Sequence, residues 1–222
     1  MKNTLESWGY RLNFDHLDIK IKSDIPIGKG FASSTADITA LYLSLLKLFN
    51  REYDQHELIR NAIDIEPTDS IIFPKMTLFD YKNGNFNETL GNYLEFYVLA
   101  FEGQRVIDTV EFNKNVQSDL ANIDDLIPNL KQAIKEGSIQ QLADISTESI
   151  FRNQYRLNYN ILPIIKEIQN KTGGIGIIGA HSGDFLGIIY SENIMMKSVF
   201  DYNISVPGYK SYVLKTIVNC KQ

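Results

Sequence analysis

The sequence predicts an α+β protein built as two lobes, and three observations carry that expectation. Near the N-terminus an alternating apolar stretch runs into a glycine-containing loop and then into a helix-patterned segment. Three amphipathic helical stretches begin the second half, and two apolar runs and a last strand-like stretch follow them. Helices grouped in this way, rather than alternating singly with strands, point to an antiparallel sheet backed by helices.

The elements follow in order. Leu17, Ile19 and Ile21 alternate with Asp18, Lys20 and Lys22, the period of a strand with one buried face, and Ser23 to Pro26 ends it. After Gly28 to Gly30, Ile38, Leu41, Leu45, Leu46 and Phe49 keep helical spacing from Ser33 or Ser34 onward. A shorter helix is expected from the N-cap candidate Asp54 through Glu57, Leu58 and Ile63, ahead of Pro67. Asn83-Gly84 signals a hairpin turn between runs containing Leu78, Phe79, Tyr81 and Phe86.

Residues 95–101 predict a buried strand, which opens the second lobe. Helices are expected over about 119–136, 138–157 and 159–171, with Gly137 separating the first two. Strands are expected around Ile175–Ile178 and Phe185–Tyr190, then a helix near Glu192–Phe200 and a strand over Tyr209–Val218. The order β-α-α-α-β-β-α-β suggests an antiparallel sheet backed by helices. The lobes are divided at 1–115 and 116–222, with the softest boundary near Asn113–Ser118.

The chain has 222 residues, 44% hydrophobic and 22% charged, the balance of an ordinary globular protein and not of a disordered one. Twenty-two Lys and Arg against 27 Asp and Glu leave a net charge of −5, so there is no cationic surplus for nucleic acid or an anionic membrane. A single cysteine, Cys220, excludes an intrachain disulfide framework and a cysteine-based zinc site, and fits a cytoplasmic setting. His16, His56 and His181 lack ligand-like spacing. No secretory leader or membrane span is expected.

The segment Pro26 to Asp37, PIGKGFASSTAD, carries the chemistry. Gly28 and Gly30 open backbone angles closed to other residues and let a polyphosphate approach the main chain. Ser33, Ser34 and Thr35 place hydroxyls and amides at a helix N-terminus, where anions are favoured. A plain turn capped by Ser33 or Ser34 is the alternative. The segment departs from GxxxxGK[ST], because Lys29 precedes the second glycine, and from GxGxxG, because the third glycine is missing.

PIGKGFASSTAD resembles the second motif of the GHMP kinase superfamily, and its GKG-x-ASSTAD form resembles the L-threonine kinase branch, which serves adenosylcobalamin synthesis. IEPTDSIIFPKMTLFD, from Ile65 to Asp80, and AHSGDFLGIIY, from Ala180 to Tyr190, resemble the same branch. The resemblance implies a two-lobed GHMP-kinase-like fold, a phosphate-loop lobe followed by a ferredoxin-like α/β sandwich, and ATP-dependent phosphorylation of a small hydroxyl compound, L-threonine first and homoserine or a related hydroxy acid next. It implies that Gly28, Lys29, Gly30, Phe31, Ala32, Ser33, Ser34 and Thr35 wrap the ATP phosphates.

It further implies Mg²⁺ on Ser34 and Glu66, with Glu57 a rival, and Asp69 as the acidic catalytic residue that accepts or orients the hydroxyl proton. Thr68, His181 and Ser182 are placed near the substrate. Ordinary helix-end and turn chemistry is the alternative for Glu66, Asp69 and His181. The family's earlier segment, with a first motif of Gly-x-x-x-Glu-Leu type, has no counterpart here, so the first lobe is expected to be truncated. That expectation favours a homo-oligomer or a separately encoded N-terminal partner, and makes a catalytically impaired remnant that still binds nucleotide or a partner chain the rival function.

Overall fold

The computed structural model describes residues 2–10, 17–107, 122–191 and 204–217. It divides into two compact units, one comprising Met1–Pro26 and Ala32–Glu88, the other Ile27–Phe31 and Thr89–Gln222. The boundary expected near residue 115 lies outside the described residues.

In the first unit, helices α1 (Lys2–Ser7), α2 (Ser33–Leu48) and α3 (Gln55–Ile63) precede strand β1 (Met76–Phe79). Tyr42 and Leu46 of α2 meet Leu58 and Ile59 of α3, with Ile72 and Phe73, in one core that Trp8 and Phe79 border. Of the residues named by the helical pattern, Leu45 and Leu46 are buried while Ile38, Leu41 and Phe49 are only partly so, and Tyr42, outside that pattern, takes the buried place facing α3. Asp54 caps α3 as expected, its carboxylate accepting from His56 N at 2.8 Å and Glu57 N at 3.3 Å. Asp54→Ala should cost about 1 kcal/mol, seen as a lower urea midpoint with unchanged slope.

Two expectations change. Residues 17–24 form no strand, and Ile19 and Ile21 are exposed. Alternation predicts which side chains share a face, but a strand also needs ladder hydrogen bonds from a neighbour, and no described residue provides them. The turn after β1 is wider than a two-residue Asn-Gly hairpin. Asp80 organises it, its carboxylate accepting from Lys82 N and Asn83 N at 3.2 Å, while Gly84 takes the left-handed angle φ +68°. Strand β2 (Asn87–Gly91) pairs with β1 and runs from the first unit into the second.

The second unit carries β3 (Tyr97–Glu102), α4 (Ile127–Glu136), α5 (Ile139–Arg152), α6 (Leu162–Thr172), β4 (Gly176–Gly179), β5 (Phe185–Tyr190) and β6 (Lys210–Lys215). The sheet order is β4-β5-β3-β6, every pairing antiparallel. In chain order that is 2-3-1-4, the ferredoxin-like arrangement that the resemblance implies. The helix expected over Glu192–Phe200 lies outside the described residues.

Every residue of β5 is buried, which is why its sequence is an unbroken apolar run rather than an alternating one. Leu99, Phe101, Leu186 and Ile188 join one core, whereas Val98, Ala100, Phe185 and Ile189 join another. The two sets alternate along β3 and β5, so each set lies on its own face of the sheet. Gly137 (φ +67°) ends α4, as expected, and the Ser138 side chain caps α5. The edge of β4 is covered by α5, where Thr147 Oγ1 accepts from Ile177 N at 2.7 Å. Among the described residues, no helix is long and apolar enough to cross a membrane.

Candidate functional site

The loop of Gly28 to Ala32 is built from left-handed backbone. Gly28 (φ +67°), Gly30 (φ +93°) and Ala32 (φ +55°) alternate with residues of ordinary φ. A non-glycine residue in this region is uncommon and costs about 1–2 kcal/mol, so Ala32 marks a conformation the surroundings impose.

Within the second unit, that loop lies backbone to backbone on the turn after β4. A Cβ on Gly30 would stand 2.1 Å from Ala180 Cβ, and one on Gly183 would stand 2.4 Å from both Lys29 C and Lys29 O. The glycines of two sequence-distant motifs therefore exist for one close approach. Gly28 O accepts from Ile107 N at 3.0 Å, and the Phe31 ring packs on Phe185 with centroids 4.6 Å apart. Lys29 behaves differently from a phosphate ligand: its ammonium is buried and donates to Gly103 O at 2.8 Å and Arg105 O at 2.7 Å.

Within the first unit, α2 opens at Ser33 with Ala32 as its N-cap and no side-chain capping bond. The capped-turn alternative is therefore not what forms. The first intrahelical bond runs from Ala36 N to Ala32 O, so the amides of Ser33, Ser34 and Thr35 belong to the unpaired first turn that attracts anions. Ser34 is exposed and its hydroxyl donates to the Glu66 carboxylate. Hydroxyl and carboxylate oxygens are the hard donors that Mg²⁺ takes, and these two are already adjacent.

Thr35 is buried, its Oγ1 accepting from Asp69 N at 3.2 Å. It therefore fixes the segment that carries Asp69. Asp69 keeps access to solvent, yet desolvation by the surrounding protein and then the Glu66 carboxylate raise its pKa above the usual carboxylate value. Thr68 is buried and its hydroxyl donates to Glu66 O at 3.0 Å. Glu57 stands apart from these groups, because its carboxylate accepts from Trp8 Nε1 at 2.7 Å and Tyr42 Oη at 2.8 Å.

In the second unit, His181 Nε2 lies 2.9 Å from Ser149 Oγ, beside Ser182 in the turn that meets the loop. Desolvation and then the Arg156 charge lower the His181 pKa, favouring neutral imidazole. Three residues escaped the sequence reading. Asp184 is buried and accepts from Arg105 Nε at 2.9 Å and Nη2 at 2.6 Å, while Tyr159 Oη donates to Ala180 O at 2.7 Å and Gly183 O at 2.8 Å. A carboxylate directly after Gly183, immediately before the apolar run Phe185–Tyr190, was the one local signal of this network.

Comparison with known proteins gives a family match and distant relatives. The model of the GHMP kinases N terminal domain matches residues 1–73, the part that holds the loop, Glu66 and Asp69. An L-threonine kinase of Citrobacter freundii is 26% identical over 195 residues, covering 85% of this chain and 68% of the relative. An L-threonine kinase of Salmonella typhimurium is 25% identical over 195 residues, covering 85% and 65%. The chain thus spans about two thirds of the length of these relatives. A crystal structure of mevalonate kinase superposes with a TM-score of 0.65 at 18% identity, covering 96% of this chain and 72% of that one, a likeness of fold.

Proposed function

We propose that this chain is a kinase of the GHMP type that transfers the γ-phosphoryl group of ATP to the hydroxyl of a small molecule, with L-threonine the favoured acceptor, a reading supported by the family match over residues 1–73 and by the two L-threonine kinase relatives. The observation that carries this reading is the conformation of Pro26–Asp37. Left-handed residues at 28, 30 and 32 lead into a helix whose first-turn amides have no side-chain cap, which is a ready site for phosphate.

The residues divide the work by their chemistry. Backbone amides from Gly28 to Thr35 hold the phosphates through fixed dipoles that need no reorganisation as charge develops. Ser34 and Glu66 would hold Mg²⁺, which supplies neutralisation of phosphate charge. Asp69, with its raised pKa and a main chain pinned by Thr35, accepts or orients the proton of the acceptor hydroxyl. His181, exposed in the turn after β4, and Ser182 would offer polar groups for the acceptor. The carboxyl and amino groups of L-threonine enter the reading through the two L-threonine kinase relatives alone.

ADP release measured with Mg-ATP across L-threonine, L-serine and homoserine tests the proposal. Turnover with L-threonine above the other two is expected. ATP binding without turnover on any of the three would instead favour an impaired kinase that keeps its nucleotide site. Ser34→Ala should raise the Mg²⁺ concentration needed for half-maximal rate by about tenfold, since one hard ligand worth about 1.4 kcal/mol is removed. An unchanged metal dependence would take Ser34 out of that role.

A further inference from the structure

A cation in a phosphate loop is expected to face phosphate, but Lys29 is 8% exposed and faces the protein. Its ammonium donates to the carbonyls of Gly103 and Arg105, at 2.8 and 2.7 Å. Those carbonyls sit on a segment that Asp184 grips from the other side. The Asp184 carboxylate, 1% exposed, accepts from Arg105 N at 2.9 Å as well as from the Arg105 guanidinium, and Asp184 O accepts from Gly103 N at 2.8 Å. Gly103 has no room for a side chain, because a Cβ there would lie 2.0 Å from Asp184 Oδ2.

The chain from Lys29 to Asp184 therefore closes on itself. Asp184 follows Gly183, Gly183 abuts the Lys29–Gly30 backbone, and the Tyr159 hydroxyl fixes the Ala180 and Gly183 carbonyls of the same turn. A buried ammonium has to be hydrogen-bonded, and two carbonyls satisfy it only while the Gly103–Arg105 segment keeps its path. Loop, strap and turn thus fix one another.

We propose that Lys29, the Gly103–Arg105 segment and Asp184 form a clamp that presets the backbone of the phosphate loop, with Lys29 and Asp184 acting as positioning residues rather than phosphate ligands. The role of the clamp in catalysis rests on the reading of Pro26–Asp37 as a phosphate loop. Its effect is preorganisation: donors already fixed in place bind a polyphosphate without the loss of freedom that ordering a mobile loop entails.

Hydrogen–deuterium exchange on the ligand-free full chain tests the clamp, with ATP titration of the same samples. In Lys29→Met, exchange at the hydrogen-bonded amides of Gly103, Arg105 and Ile107, the last of which donates to Gly28 O of the loop, is expected to quicken by about tenfold or more while α4 keeps its protection, the pattern of local rather than global opening. Asp184→Asn keeps the side-chain shape and an acceptor for Arg105 N, so a smaller effect at the same residues is expected, and it serves if Lys29→Met does not fold. Both variants should raise the KM for ATP and leave the KM for the acceptor in place. Unchanged protection of Gly103, Arg105 and Ile107, or an equal loss in α4, overturns the clamp. Failure of the wild type to bind ATP, with the local change still seen in the variants, removes the phosphate reading and leaves the clamp standing; wild-type binding with no local change in the variants does the reverse.

Discussion

Replacing Asp69 by Asn should lower turnover by about 10²–10⁴-fold while leaving ATP affinity nearly unchanged, the loss typical of removing a positioned base. Asparagine keeps the shape and the backbone N–H that reaches Thr35 Oγ1, so the segment should hold its place while the proton acceptor is gone. The raised pKa of Asp69 bears directly on this, because a carboxylate held above its ordinary value is a stronger base at working pH. Single-turnover kinetics beside calorimetric ATP titration separate the two effects, and a near-normal rate would remove Asp69 from the chemistry.

The same substitution carries a stability signature of defined sign. The native state holds the Asp69 proton more tightly than the unfolded chain does. From the unfolded value of about 3.9 up to the raised native value, the wild type therefore loses stability as pH rises. Asp69→Asn cannot ionise, so urea midpoints followed through that window should fall less for the variant than for the wild type. An equal fall in both would show that Glu66 and solvent leave Asp69 unperturbed.

Gly30→Ala is the second large effect. A methyl group there meets Ala180 Cβ at 2.1 Å in a backbone of φ +93°, so two penalties add. Left-handed backbone costs about 1–2 kcal/mol and overpacking about 1–3 kcal/mol, giving a loss of about 2–5 kcal/mol. Against an ordinary domain stability of about 5–15 kcal/mol that is severe. Gly137→Ala is the control, since Gly137 shares the left-handed angle (φ +67°) but has nothing within 4 Å. It should lose only the backbone part. The difference between the two denaturation midpoints measures the close approach of the loop to the Ala180–Gly183 turn, and equal losses would mean that the loop moves aside freely.

Local signals were legible where the physics is local. The period of α2, the Asp54 cap of α3, the glycine end of α4 and the apolar runs of β3 and β5 depend on neighbours within a few residues, and each formed where the pattern placed it. The alternation at Leu17–Lys22 failed for the complementary reason, since its strand depends on a partner that the segment cannot supply. Asn83-Gly84 marked a turn but not its width, which Asp80 set through its own side chain.

By itself the sequence determined the α+β class, the order of the described elements of the second unit and the glycine-bearing loop that leads into α2, because glycine freedom and helix period are written in consecutive residues. Only the tertiary structure decided what the loop residues do. It turned the Lys29 cation inward onto carbonyls 74 and 76 positions away, and set Gly30 against Ala180. It also left α2 capped by a strained alanine, with its serines unused for capping. Each of these depends on which distant backbone comes within hydrogen-bonding or van der Waals reach, and sequence spacing carries no measure of that distance.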